Sequence, residues 1–429
     1  MLRLLADARY RPFFISFVSG SFAEGLIAVV VPFAVLAVTE DPVAVGICLG
    51  AQTAGVLVVA APAASLADRY PREKVISVAY WLATAALAGL LFALMLGGAV
   101  WSFAALLFLF GSATAVYGPA SDALTPRLVK KADLHRANAM DGLAQRLGQG
   151  IFGPLIGGVL VATGLATSAF AGAALLCVLA SLTVLRAKPT SPPEDAAGPA
   201  PGSQQSWAAV RRYLWSSPLL VVLLVWVSVS IMLTVGAKPV AATSWAGTFE
   251  DGAVVYGAAL ALGSGVSAIV VLVVGSRGLP RRYIECMVAA WSVGAGVLLA
   301  AVAIPAWWGL LVAYGLSAGM MAVGNIYWST YVQSTVPDRL LTKVISIDWV
   351  ASLALTPLGA AGAGFAVSAW GAAPVLLVIA VVPLVTGAAL LTVLLVRRTI
   401  TAPIYEAPTV ANSAEPVVAE RTPVGDDPS

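Results

Sequence analysis

The sequence predicts an all-α integral membrane protein, with twelve transmembrane helices in two six-helix bundles. Three observations carry that prediction. Hydrophobic residues fill 60% of the 429 positions and charged residues only 10%, and the mean hydropathy is +0.92. Apolar stretches of about twenty residues recur along the chain, each able to cross a hydrocarbon core of ~30 Å at ~1.5 Å per residue. Basic residues collect in alternate connections between those stretches. The spans must be helical, because lipid offers no partner to an unpaired backbone group.

The spans run in order over about 12–38, 43–66, 75–97, 101–123, 140–162 and 168–186, then 216–237, 253–275, 283–303, 307–331, 344–368 and 373–396. The first continues beyond the length of a signal peptide's apolar region and shows no small-residue cleavage pattern, so it reads as a retained helix. Residues 187–212 hold the run P-T-S-P-P-E-D-A-A-G-P-A-P-G-S, a composition that cannot bury a core and serves as a flexible linker. The expected organisation is an N-terminal bundle over 1–186, a cytoplasmic linker over 187–212, and a C-terminal bundle over 213–398. A disordered tail is expected over 399–429.

Charge sets the orientation. Of 24 basic residues, all but Arg146 and Lys238 fall at the termini or in connections on one side of the membrane. By the positive-inside rule that side is cytoplasmic, so both termini are cytoplasmic and the protein is expected in the plasma (inner) membrane. The opposite connections carry Glu40, Asp41, Glu250 and Asp251. Lys238-Pro239 reads as the outer end of span seven, where a lone base would pair with Glu250 or Asp251 or guard the exit. Each half has a basic turn after its second span, Asp68–Lys74 and Gly275–Arg282, which is a weak internal repeat of the kind found in secondary transporters.

Other chemistry is scarce. Cys48, Cys177 and Cys286 lie in or beside spans without metal-ligand spacing and read as small buried hydrophobes. One histidine, His135, rules out a histidine-rich metal site. No G-x-x-x-x-G-K-[ST] run is present, and no nucleophile has a plausible base. The chain is therefore expected to be no enzyme, to need no cofactor or metal, and to bind no nucleic acid.

Four runs resemble the major facilitator superfamily over roughly residues 8–398, within it the drug-exporter branch. Ala64-x-Leu66-Ala67-Asp68-Arg69-Tyr70-Pro71-Arg72 resembles the loop motif G-x-L-A-D-R-x-G-R, with Ala64 and Pro71 replacing its glycines. Gly153-Pro154-Leu155-Ile156-Gly157-Gly158 resembles the G-P-x-x-G-G antiporter motif. Gly118–Val129 with Ala137–Met140 resembles macrolide and siderophore exporters around spans four and five. Val336–Gly359 resembles the start of span eleven in actinobacterial members. The resemblance implies a proton-coupled exporter of hydrophobic or amphipathic small molecules, drug or natural product, working as a monomer in the lipid bilayer. Uptake symport of a small solute uses the same fold and is the first alternative; a non-transporting membrane sensor is the second.

Several residues are candidates for that work. Asp68, with Arg69 and Arg72, can form charge-assisted hydrogen bonds between helix ends that hold in one conformation and break in another. The resemblance assigns them a gating role. Glu24 lies thirteen residues beyond Arg11, about 20 Å along span one. A charged carboxylate that deep is costly and usually functional, which makes it the candidate for proton coupling. Arg146 stands in span five beside Asp141, Gln145 and Gln149, which recur every four residues and share a face. It reads as either a snorkelling side chain or a cavity charge pairing with Asp122, Asp141 or an anionic substrate. Asp348 reads as an acid at the start of span eleven, stabilised by the helix dipole. The spans hold few polar groups, so the cavity is expected to be mostly apolar.

Overall fold

The computed structural model describes residues 2–130, 133–187, 207–336 and 338–400, and every element among them is helical. The first four spans are Tyr10–Thr39, Pro42–Arg69, Arg72–Met95 and Val100–Leu128, and the sixth is Ala166–Val184. Span seven runs over Pro218–Ala246, span eight over Gly252–Gly275, span nine over Tyr283–Ala303 and span ten over Trp307–Thr335. The last two run over 338–370 and Ala372–Ile400. Eleven described helices are long and apolar enough to cross a membrane. The remaining rod, span five, starts polar and is built from three pieces: Leu134–Gln145, a π-helical stretch Arg146–Phe152, and Gly153–Ala162. An amphipathic helix, Trp207–Ser216, precedes span seven. The tail beyond 400 and most of the linker lie outside the described residues.

Local chemistry explains where helices stop. Span one ends at Glu40, whose backbone takes the left-handed form (φ 52°) while its N–H bonds the Leu36 carbonyl. Asp41 then accepts the Val43 N–H at 2.8 Å, and Pro42 opens span two with its φ already suited to a first turn. The acid pair of the other half repeats part of this pattern: Asp251, before span eight, also has positive φ (54°).

Two prolines that should break helices do not. Pro154 and Pro239 each follow a π-helical stretch, Arg146–Phe152 and Met232–Ala237 respectively. In both, the residue just before the proline bonds five residues back: Gly153 N–H to Gly148, and Lys238 N–H to Leu233. The wider turn absorbs the proline's missing donor and its ring, so the rod continues. This corrects the expected end of span seven near residue 237. The helix runs on to Ala246, and Lys238 lies within the span instead of in the outer turn.

The halves pair twice in the same way. Span two packs on span eleven, and span eight packs on span five, so the second span of each half meets the fifth of the other. The contacts correspond residue by residue. A methyl group on Gly46 would lie 2.6 Å from the Ala360 carbonyl oxygen, and one on Gly364 2.8 Å from that of Pro42. On the other side, a methyl on Gly257 would collide with the Pro154 carbonyl, and one on Gly158 would lie 2.5 Å from that of Ala253. Gly153-Pro154-x-x-Gly157-Gly158 therefore has a structural counterpart in Gly359–Gly364. All four approaches lie in the half of the membrane nearest the Glu40–Asp41 and Glu250–Asp251 turns.

Within the N-terminal bundle a buried carboxylate ties three spans together. Tyr10 Oη of span one donates to Asp141 Oδ1 at 2.6 Å, and Thr125 Oγ1 of span four donates to Oδ2 at 2.9 Å. Asp141 is 9% exposed, so both oxygens depend on these partners.

Asp141→Ala leaves the Tyr10 and Thr125 hydroxyls only long backbone acceptors, the Ala137 and Ser121 carbonyls at 3.4 Å, and should destabilise the bundle by about 1–3 kcal/mol, read as a lower melting temperature in detergent, with Asp141→Asn milder. Gly364→Leu forces backbones apart between spans two and eleven at a cost of about 1–3 kcal/mol. In a cysteine-free background it should raise maleimide labelling of Val43→Cys; unchanged labelling would show that the contact does not hold the halves together.

Candidate functional site

Two polar centres lie inside the membrane-spanning region. The first is in the N-terminal bundle. Glu24, half-buried on span one, accepts a hydrogen bond from the Tyr117 hydroxyl of span four. Tyr80 of span three stacks on Tyr117, with ring centroids 4.5 Å apart. Among the described residues no base lies within ion-pair distance of Glu24. The carboxylate is thus held by a phenol that is itself stacked on a second aromatic ring.

The second centre is a cavity of about 430 Å³ between the halves, within the usual size range of small-molecule sites. Span five contributes Arg146, span seven contributes Thr234 and Lys238, and span eight contributes Ser264. Trp291 of span nine and Tyr314 of span ten supply rings. Trp291 is aimed by its Nε1–H, which donates to Asn325 Oδ1 at 3.2 Å. The Lys238 ammonium lies 4.7 Å from the centre of the Tyr314 ring, a cation–π distance. The wall is mostly apolar, as the spans led one to expect, but two cations, several hydroxyls and an amide are set into it.

The remaining candidates fall in separate surroundings. Arg146 does not pair with Asp141, which is taken by Tyr10 and Thr125; it lines the cavity instead. Asp141 is buried while Gln145 is exposed and Gln149 half-buried, so four-residue spacing gives these three no common surroundings. Each such step drifts about 40° around a 3.6-residue helix, and the π-helical stretch changes the rotation further. Asp348 is not at a helix start, because the helix begins at Asp338. It accepts from Trp328 Nε1 at 2.9 Å and so ties span eleven to span ten. Trp328 in turn packs against Trp291, with centroids 6.0 Å apart. Trp349 is exposed, as is Cys286, whereas Cys48 and Cys177 are buried.

Gly153, Pro154, Gly157 and Gly158 sit between two neighbours. A methyl on Gly153 would lie 2.6 Å from Gly25 Cα, and one on Gly157 2.9 Å from the Leu26 carbonyl oxygen, both on span one. Gly158 and the Pro154 carbonyl face span eight of the other half. In the basic turn, Arg72 donates to the Ala123 carbonyl of span four; the side chains of Asp68 and Arg69 lie outside the described residues. Thr234 was missed by sequence reasoning, and Lys238 was singled out but placed in the outer turn instead of the cavity wall. The signal that could have found them is a proline inside an apolar run, Lys238-Pro239, matching Gly153-Pro154.

Comparison with known proteins agrees with this architecture. The chain is similar to the enterobactin exporter EntS of Shigella flexneri, 28% identical over 345 residues, covering 79% of this chain and 78% of the relative. The protein of the same name from Escherichia coli O1:K1 / APEC is 33% identical over 212 residues, 48% of each chain. Among solved structures, nucleoside transporter NupG superimposes with a TM-score of 0.70 at 13% identity, covering 91% of this chain and 99% of that one. A D-xylose-proton symporter does so with a TM-score of 0.66 at 13% identity, covering 89% and 96%. At those identities the structures speak for the fold alone. The family model of the Major Facilitator Superfamily matches residues 13–347, and the chain belongs to that superfamily.

Proposed function

We propose that this transporter exports an amphipathic small molecule, drug or natural product, in exchange for protons. It would act as a monomer in the plasma (inner) membrane with both termini cytoplasmic. The observation that carries the reading is Glu24, a carboxylate inside a membrane span, held by Tyr117 and without a basic partner among the described residues. Such a group is costly to keep charged in the membrane, so its retention points to proton exchange. Export as the direction is supported by the similarity to exporters over most of the chain and by Gly153–Gly158 standing between span one and the opposite half.

Alternating access is the motion that the two repeated pairings suit. With spans two and eleven, and five and eight, closed near the acid turns, cargo would come from the basic-turn side. Parting those pairings would release it on the other side. Asp68, Arg69 and Arg72 would bias that equilibrium at the basic turn by bonds made in only one state. A non-transporting sensor would need neither Glu24 nor Asp68.

Inside-out vesicles test this. An exporter alkalinises an acidified lumen when cargo is added, whereas an uptake symporter or a sensor does not. Glu24→Gln should retain cargo binding but lose at least about tenfold in proton-driven flux; full proton coupling in that variant would remove Glu24 from the mechanism. Asp68→Asn should be made and inserted normally yet fail to transport, and normal transport would leave the motif a plain charged turn.

A further inference from the structure

The cavity between the halves holds two cations and no acid. Arg146 enters it from the N-terminal half and Lys238 from the C-terminal half, and none of its lining residues is Asp or Glu. Among the described residues neither cation is in an ion pair. Lys238 lies over the face of Tyr314. Like charges facing one partly dehydrated space repel each other, and each also loses hydration. A structure keeps such a pair where something negative is to be placed between them.

The rest of the wall fits the same ligand. Arg146 offers a planar fork suited to a carboxylate or sulfonate, and Lys238 a point charge. Ser264 and Asn325 add polar groups that can bond further oxygens, and Trp291, held by Asn325, offers an aromatic face. We propose that the cavity binds a soluble, anionic aromatic small molecule, its negative group between Arg146 and Lys238 and its ring against Trp291. One cation comes from each half, so the ligand bridges the two bodies whose relative movement carries it. Carriage of the bound ligand across the membrane rests on the transport reading, but the binding itself can be measured apart from it.

Two dyes with one xanthene ring system and opposite charge make the test: fluorescein, anionic at neutral pH, and rhodamine 123, cationic. With the full chain in phosphatidylcholine nanodiscs, fluorescence anisotropy should show saturable binding of fluorescein. Rhodamine 123 should bind no better than to protein-free discs. Arg146→Gln and Lys238→Gln should each weaken fluorescein binding by about tenfold or more, while Arg146→Lys and Lys238→Arg restore most of it. Size-exclusion profiles and melting temperatures identify any variant that has lost its fold. The proposal is overturned if folded protein shows no saturable fluorescein binding, if rhodamine 123 binds as well, or if the Gln variants bind like the parent. Adding phosphatidylglycerol to the discs distinguishes the other source of anion: displacement of fluorescein would make a lipid headgroup the occupant and overturn the soluble ligand. Fluorescein bound but not carried into inverted vesicles would uphold this site and fail the export reading. Carriage of rhodamine 123 alone would do the reverse.

Discussion

The backbone of span one lies directly on the backbone of span five, and most of the functional geometry depends on that contact. A methyl on Gly25 would lie 2.6 Å from the Gly148 carbonyl oxygen, and one on Gly153 the same distance from Gly25 Cα. Glycine at these positions lets two helices touch main chain to main chain, where interfaces of small residues gain packing that lipid cannot replace. The contact falls on a π-helical stretch, which widens the rod and sets Arg146 at its first turn. Proline at 154 explains why the stretch is wide, and the wide stretch explains why glycine must meet it. One short run thus fixes the height of span one, the aim of Arg146 and the surface offered to span eight.

Around that contact the protein is built on a repeat that its chemistry does not follow. The second span of each half meets the fifth of the other, with small residues at matching places. Such symmetry suits two bodies that rock about a common middle, because the same contact must open on both flanks together. The charges break the symmetry. Glu24 has its counterpart, counted back from the acid turns, at Thr234, a cavity-lining hydroxyl. Lys238 has no charged counterpart in span one. The frame is shared between the halves while the Glu24 carboxylate belongs to one of them and the cavity cations to both.

The architecture was legible in the sequence because the rules behind it act locally. Apolar run length set the spans. Glu24 stood out for the same reason, as a charge too deep in a span to be ordinary. The cavity was not legible. Its position depends on helix rotation, and the two π-helical stretches shift rotation in a way that regular 3.6-residue counting does not capture. Asp141 and Arg146, near neighbours in the chain, stand about 140° apart on a regular helix and serve different ends, one locking Tyr10 and Thr125 and the other facing the cavity. Reading Lys238-Pro239 as a helix end failed for the same cause, since a proline after a π-helical turn need not end a helix. Asp348 was misplaced because its helix begins at Asp338, in a polar stretch that apolar run length cannot see.

The two exceptions to the charge rule belong together. Arg146 and Lys238 are the only bases outside the basic-side set in the sequence, and both line the one cavity described between the halves. Each is also placed by the same local device, a π-helical stretch against a proline. Glu24 lies one residue from Gly25, Gly25 packs on Gly148, and Gly148 is two residues from Arg146. Main chain on main chain leaves no flexible side chain between them to absorb a displacement. A movement of span one at Glu24 therefore reaches the cavity wall at Arg146 through rigid contacts, and the Glu24 carboxylate and the cavity are mechanically one unit.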